Sequence, residues 1–303
     1  MEGAYDASAG VDPAAPAAQV NRETHFYRSI LTTMSMLSST NPVLSDQSLG
    51  RVLGQMGARS DTASVQGVMA KTGICTVLAV GAGAVGYTLV TSNPSILWIS
   101  AIASMVISLI LFFVISSNPK IAMIGAPVYS ITQGVFLGAI SCVLESMLTA
   151  RGITVPGGIA LQAFIITGSL MATMLALHTF GILRAGPRFQ SVIMLVTIGL
   201  AVSMLVAFIV SLFGVRMPFL ELGAAFGGGQ AAWIGLALNA GILLLAALWL
   251  LVDLAQIDEA VASGAPKSME WLLAFGLIVT LAWVYLEAVK LAFRIAAMFG
   301  ERK

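Results

Sequence analysis

Two carboxylates lie inside stretches long and apolar enough to cross a bilayer. Asp253 stands in ALWLLVDLAQIDEA and Glu287 in WLLAFGLIVTLAWVYLEAVKLAFR, each within a run of roughly twenty mostly apolar residues. An ionisable group in such a run costs on the order of 2.5 kcal/mol or more, so it faces protein or water and usually has a task. Two carboxylates brought together in low dielectric cannot both ionise comfortably, and they share a proton. Such a pair is a switch: protonated and joined, or deprotonated and able to hold a cation. Its oxygens suit calcium, weakly when two carboxylates act alone. Asp253 and Glu287 are therefore the candidate pH sensor and weak calcium site.

The rest of the chain must position these groups in a membrane. Of 303 residues, 58% are hydrophobic and 10% charged, with a mean hydropathy of +0.94. Soluble domains average roughly 45–50% apolar and 25% charged, so the composition is that of an integral membrane protein. A formal net charge of +1 supplies no basic field, which excludes nucleic acid as a partner. The two cysteines, Cys75 and Cys142, are too few for a disulfide framework and read as small core residues.

The first apolar run follows Lys71. The polar, Ala/Pro-rich amino terminus carries no cleavable signal, so the first membrane helix directs insertion. Residues 1–70 read as a cytoplasmic tail, the first twenty or so disordered, with NPVLSDQSLGRVLGQM as a short surface helix. Residues 71–303 form the membrane domain.

Seven helices are expected there, over about 72–90, 96–115, 121–148, 159–177, 193–213, from 232 past Asp253, and 271–294. The fold class is an all-α seven-helix bundle. The first helix is rich in glycine (Gly73, Gly81, Gly83, Gly86), which lets backbones approach closely. The third contains Pro127 with Ser130, Thr132 and Gln133 nearby, either a kink beside a cavity or ordinary interhelical bonding. In the sixth, Asn239 lies fourteen residues before Asp253 and shares its face, so Asn239 and Gln133 are candidate pore-lining groups. A lone His178 reads as a solvated helix end, and no metal-ligand spacing surrounds it. The glycine-rich GVRMPFLELGAAFGGGQ lacks the strand and Lys-Ser/Thr of a phosphate loop.

Lysine and arginine in the short loops set the orientation. With the amino terminus cytoplasmic, Lys120, Arg184, Arg188 and Lys267 fall inside, against Arg151 and Arg216 outside. The last segment conflicts, because a full crossing puts Lys290, Arg294, Arg302 and Lys303 outside. It either re-enters, or crosses because earlier helices dictate the topology.

Pairing of the carboxylates is not forced by spacing. Asp253 lies 11 residues before Gly264, about 16 Å of helix, and Glu287 lies 21 residues after Pro266, about 31 Å. A straight hairpin keeps them apart, whereas an interfacial start at 267–271 and helix tilt could bring them level. The competing reading pairs Glu287 with Lys290, three residues on, and makes Asp253 an interfacial cap.

The stretch LVDLAQIDEAVASGAPKSMEWLLAFGLIVTLAWVYLEAVKLAFRIAAM resembles the carboxy-terminal signature of the Bax inhibitor-1 family, in its bacterial branch. SSTNPVLSD, GVMAKTG, NPKIAMIGAPVYSITQGVFLGAIS and SLFGVRMPFL extend the resemblance over about residues 38–298. It implies a hydrophobic seventh helix surrounded by the others and a pH-sensitive calcium leak gated by two acidic residues, which map to Asp253 and Glu287. The second is Glu where the family pattern has Asp. An arginine latch at the end of helix 2 is replaced by Lys120, which lacks the bidentate grip of a guanidinium.

The expected function is thus a proton-regulated cation leak in a bacterial inner membrane, with lipid and calcium or another cation as partners and no resident cofactor. The alternative is a regulatory protein that binds another membrane protein, such as a protease or cell-death factor. An intramembrane aspartyl protease would also use two carboxylates, but its Tyr-Asp and Gly-x-Gly-Asp motifs are absent, so no enzyme is expected.

Overall fold

The computed structural model describes residues 62–300 except 94, 96, 184 and 216. The expected disordered terminus, the surface helix of the tail, Arg184, Arg216, Arg302 and Lys303 lie outside the described residues. Seven long helices make up the described chain: α1 (Val65–Ser92), α2 (Leu97–Ser117), α3 (Ala122–Thr149), α4 (Gly158–Thr179), α5 (Pro187–Leu212), α6 (Gly229–Ala262) and α7 (Met269–Phe299). All seven are long and apolar enough to cross a membrane. Short 3-10 turns precede α3 (Pro119–Ile121) and α6 (Leu222–Gly227).

Local chemistry moves several boundaries from those expected. α1 begins at Val65 because Ser64 caps it, its hydroxyl accepting from the Gly67 amide at 3.0 Å. The last residues of the expected tail, from Val65 on, are therefore the start of this helix, and Lys71 lies within it. α5 begins at Pro187, where a fixed φ suits the first helical position and the missing N–H costs nothing. α7 is one unbroken helix of 31 residues, with no reversal in it. Of the two readings left open for the last segment, re-entry needs a reversal that this helix does not contain.

α7 occupies the centre. In its most apolar stretch 72% of residues are buried, against 6% for α5, whose Val, Leu, Ile and Phe side chains form an outward apolar surface suited to lipid. Around α7 pack α6, α3, α4 and α1. Pro127 is accommodated within a continuous α3, which packs against α7 through a Tyr129–Phe275 edge contact with centroids at 5.0 Å and a Ser141–Tyr285 hydroxyl bond of 2.9 Å.

The glycines of α1 work as expected, but only on one face. A Cβ at Gly86 would overlap the Val135 carbonyl oxygen, and Cβ atoms at Gly134 and Gly138 of α3 would overlap the carbonyl oxygens of Ala79 and Gly83, while one at Gly83 would only press on the Gly134 carbonyl at 3.2 Å. Gly73 and Gly81 face open space. Cys75 and Cys142 are both free and buried.

Candidate functional site

The register of the α6–α7 hairpin decides which polar groups meet. The helices run antiparallel from the turn at 263–268, and the Asn239 side-chain amide donates to Glu287 Oε2 at 2.8 Å and to the Glu287 carbonyl at 3.2 Å. The other carboxylate oxygen, Oε1, accepts from Lys290 Nζ at 2.5 Å. Glu287 and Asn239 are both buried, each about 5% exposed.

One turn beyond Lys290, Arg294 is 4% exposed. Its Nη2 donates to the carbonyls of Phe219 and Leu220 at 3.4 and 3.3 Å, in the loop before α6. Gly235 leaves the space that the guanidinium fills, since a Cβ there would overlap Nη1. Asn239, Glu287, Lys290 and Arg294 thus form one polar stripe at the end of the hairpin away from its turn.

Asp253 is fully buried elsewhere. It lies fourteen residues beyond Asn239 along α6, about 21 Å, and so at the level of Leu273 and far from Glu287. Gln256, three residues on and 7% exposed, is a buried polar neighbour on the same face. The structure does not join Asp253 and Glu287 into a proton-sharing pair, and the two cannot ligate one calcium ion. An α6–α7 hairpin with a short turn fixes the register, and no tilt of two packed helices removes a 21 Å offset. The local Glu287–Lys290 pairing is the one observed.

The remaining candidates separate as well. Lys120 is exposed in the turn before α3, and Glu287 takes its ammonium from Lys290. Because α3 and α7 run parallel through Tyr129–Phe275 and Ser141–Tyr285, Lys120 sits near the start of α7, at the opposite end from Glu287. Gln133 is half-buried and falls between those two contacts, about two turns of α7 from the Asn239–Glu287 bond. His178 is not a free solvated end: its Nε2 meets Asp258 Oδ2 at 2.7 Å, joining α4 to α6 beside a cleft of about 430 Å³. Among the described residues no three His, Cys, Asp or Glu side chains converge as metal ligands.

A second buried carboxylate cluster escaped the sequence. Glu270, 1% exposed, accepts from the Ser64 amide and hydroxyl at 2.9 and 3.1 Å and from Lys71 Nζ at 2.5 Å. Lys71 also lies 5.4 Å above the Trp271 ring, and the Ala63 amide donates to the Ala265 carbonyl at 2.7 Å. The start of α1 is thereby fastened to the α6–α7 turn. These partners are about 200 residues apart, and Glu270 reads locally as an ordinary acid in a first helical turn. Arg294 likewise reads in the sequence only as a cation past the last crossing.

A seven-helix all-α bundle with a charged stripe buried in its central hairpin defines a multi-pass integral membrane protein. The Bax inhibitor 1 like family model matches residues 24–297, and the chain belongs to that family. Neither the comparison with curated proteins nor that with solved structures gives a match.

Proposed function

We propose that this protein is a passive cation leak, calcium being the leading ion, regulated by protonation of Asp253 and Glu287 at two separate levels of the α6–α7 hairpin. The observation that carries the reading is that both carboxylates are buried on the most enclosed pair of helices, where a bundle whose only task was to span the membrane would place apolar residues. Family membership supports it. The carboxylates act in series, with Asn239 and Gln256 supplying adjacent polar groups, and no bond-breaking chemistry is invoked.

The orientation that fits this reading has a cytoplasmic amino terminus in a bacterial inner membrane. Two of the four cations that opposed it lose their weight: Lys290 is neutralised by Glu287, and Arg294 is enclosed by protein, so neither acts as a free loop charge. Calcium flux into proteoliposomes, measured from pH about 6 to 8 for the wild type, Asp253→Asn, Glu287→Gln and the double variant, tests the proposal. PH-dependent flux altered by each single substitution is expected. Flux equal to that of empty liposomes would turn the reading toward a regulator of another membrane protein.

A further inference from the structure

We infer that Lys290 and Arg294 are tethered cations that occupy the oxygen ligands of the cation path and hold it closed at the end of the hairpin away from its turn. The inference rests on the leak reading and adds the groups that block it. Hard cations such as calcium are held by carboxylate, amide and backbone carbonyl oxygens, six to eight in number. Along this face α6, α7 and the loop before α6 supply that kind of oxygen in succession: the Glu287 carboxylate, Asn239 Oδ1, and the carbonyls of Phe219 and Leu220.

The protein's own cations sit on them. Lys290 Nζ lies 2.5 Å from Glu287 Oε1, and Arg294 Nη2 lies between the two carbonyls. The fit is incomplete where a guanidinium replaces an ion. Nε and Nη1 of Arg294 and Oδ1 of Asn239 are buried and make no hydrogen bond among the described residues.

The two cations differ in freedom. The Lys290 side chain is 29% exposed, so its ammonium can swing to water, while its partner Glu287 stays buried at 5%. Arg294 is enclosed and anchored over Gly235. Lys290 is therefore the movable stopper, and its departure leaves a buried carboxylate beside an unbonded amide oxygen, a site that a divalent cation can take.

Two measurements on the purified full chain test this. The first is calcium flux in proteoliposomes for the wild type, Lys290→Met, and Arg188→Met as a control that removes an exposed cation from the start of α5. Lys290→Met is expected to raise flux at least about tenfold, a modest share of what one unit charge a few ångströms from the path contributes at an effective dielectric of about 20. Arg188→Met is expected to match the wild type.

The second is the shift in melting temperature that millimolar calcium chloride gives in detergent, expected for Lys290→Met and absent in the wild type; it requires no conduction. If the wild type leaks and Lys290→Met neither leaks faster nor gains the shift, the inference falls and the leak stands. If neither protein leaks, the leak reading falls, and the thermal shift alone decides whether Lys290 guards a cation site.

Discussion

Asp253 and Glu287 should behave as independent groups. They stand about 21 Å apart along the hairpin, and at an effective dielectric of about 20 two unit charges at that distance interact by about 0.8 kcal/mol. A double-mutant cycle of Asp253→Asn and Glu287→Gln, read as unfolding free energy in mixed micelles, is therefore expected to give a coupling of no more than about 0.8 kcal/mol. Asn239→Ala against Glu287→Ala provides the reference for groups in contact, because their 2.8 Å bond is expected to couple by about 0.6 kcal/mol, the average for bonds between membrane helices, and by at most about 1.7 kcal/mol. A coupling of 2 kcal/mol or more between Asp253 and Glu287, in the upper part of the range for groups in contact, would refute the register and restore a joined carboxylate pair.

Gly138→Ala should destabilise the α1–α3 contact by about 1–3 kcal/mol, since its methyl would overlap the Gly83 carbonyl oxygen; Gly73→Ala, facing open space, should be tolerated, and thermal unfolding compares them. Glu270→Ala should cost about 1.5–3 kcal/mol through loss of the bonds from Ser64 and Lys71, and should raise proteolysis near Ser64 as the start of α1 comes loose. Asp258→Asn breaks a pair whose carboxylate is 55% exposed, so its effect on unfolding should stay below about 1 kcal/mol.

Much of this molecule is written locally. Seven apolar runs, the glycine-rich face of α1 and the buried carboxylates Asp253 and Glu287 follow from residue type and spacing, because bilayer thickness fixes helix length and lipid penalises charge wherever it falls. The Glu287–Lys290 pair was legible too, as neighbours one helical turn apart. Partners across elements were not. Asn239 and Asp253 share a face in the sequence, and only the hairpin register selects Asn239 to meet Glu287 and sets Asp253 at another level. Glu270 with Lys71, and Arg294 with the carbonyls of Phe219 and Leu220, join segments far apart along the chain, and no local periodicity records which distant backbone will arrive. The sequence by itself therefore determined that charge is buried in these helices, since burial cost belongs to each residue. Tertiary structure decided which charges meet, since that depends on register, and a shift of one helical turn would exchange every partner.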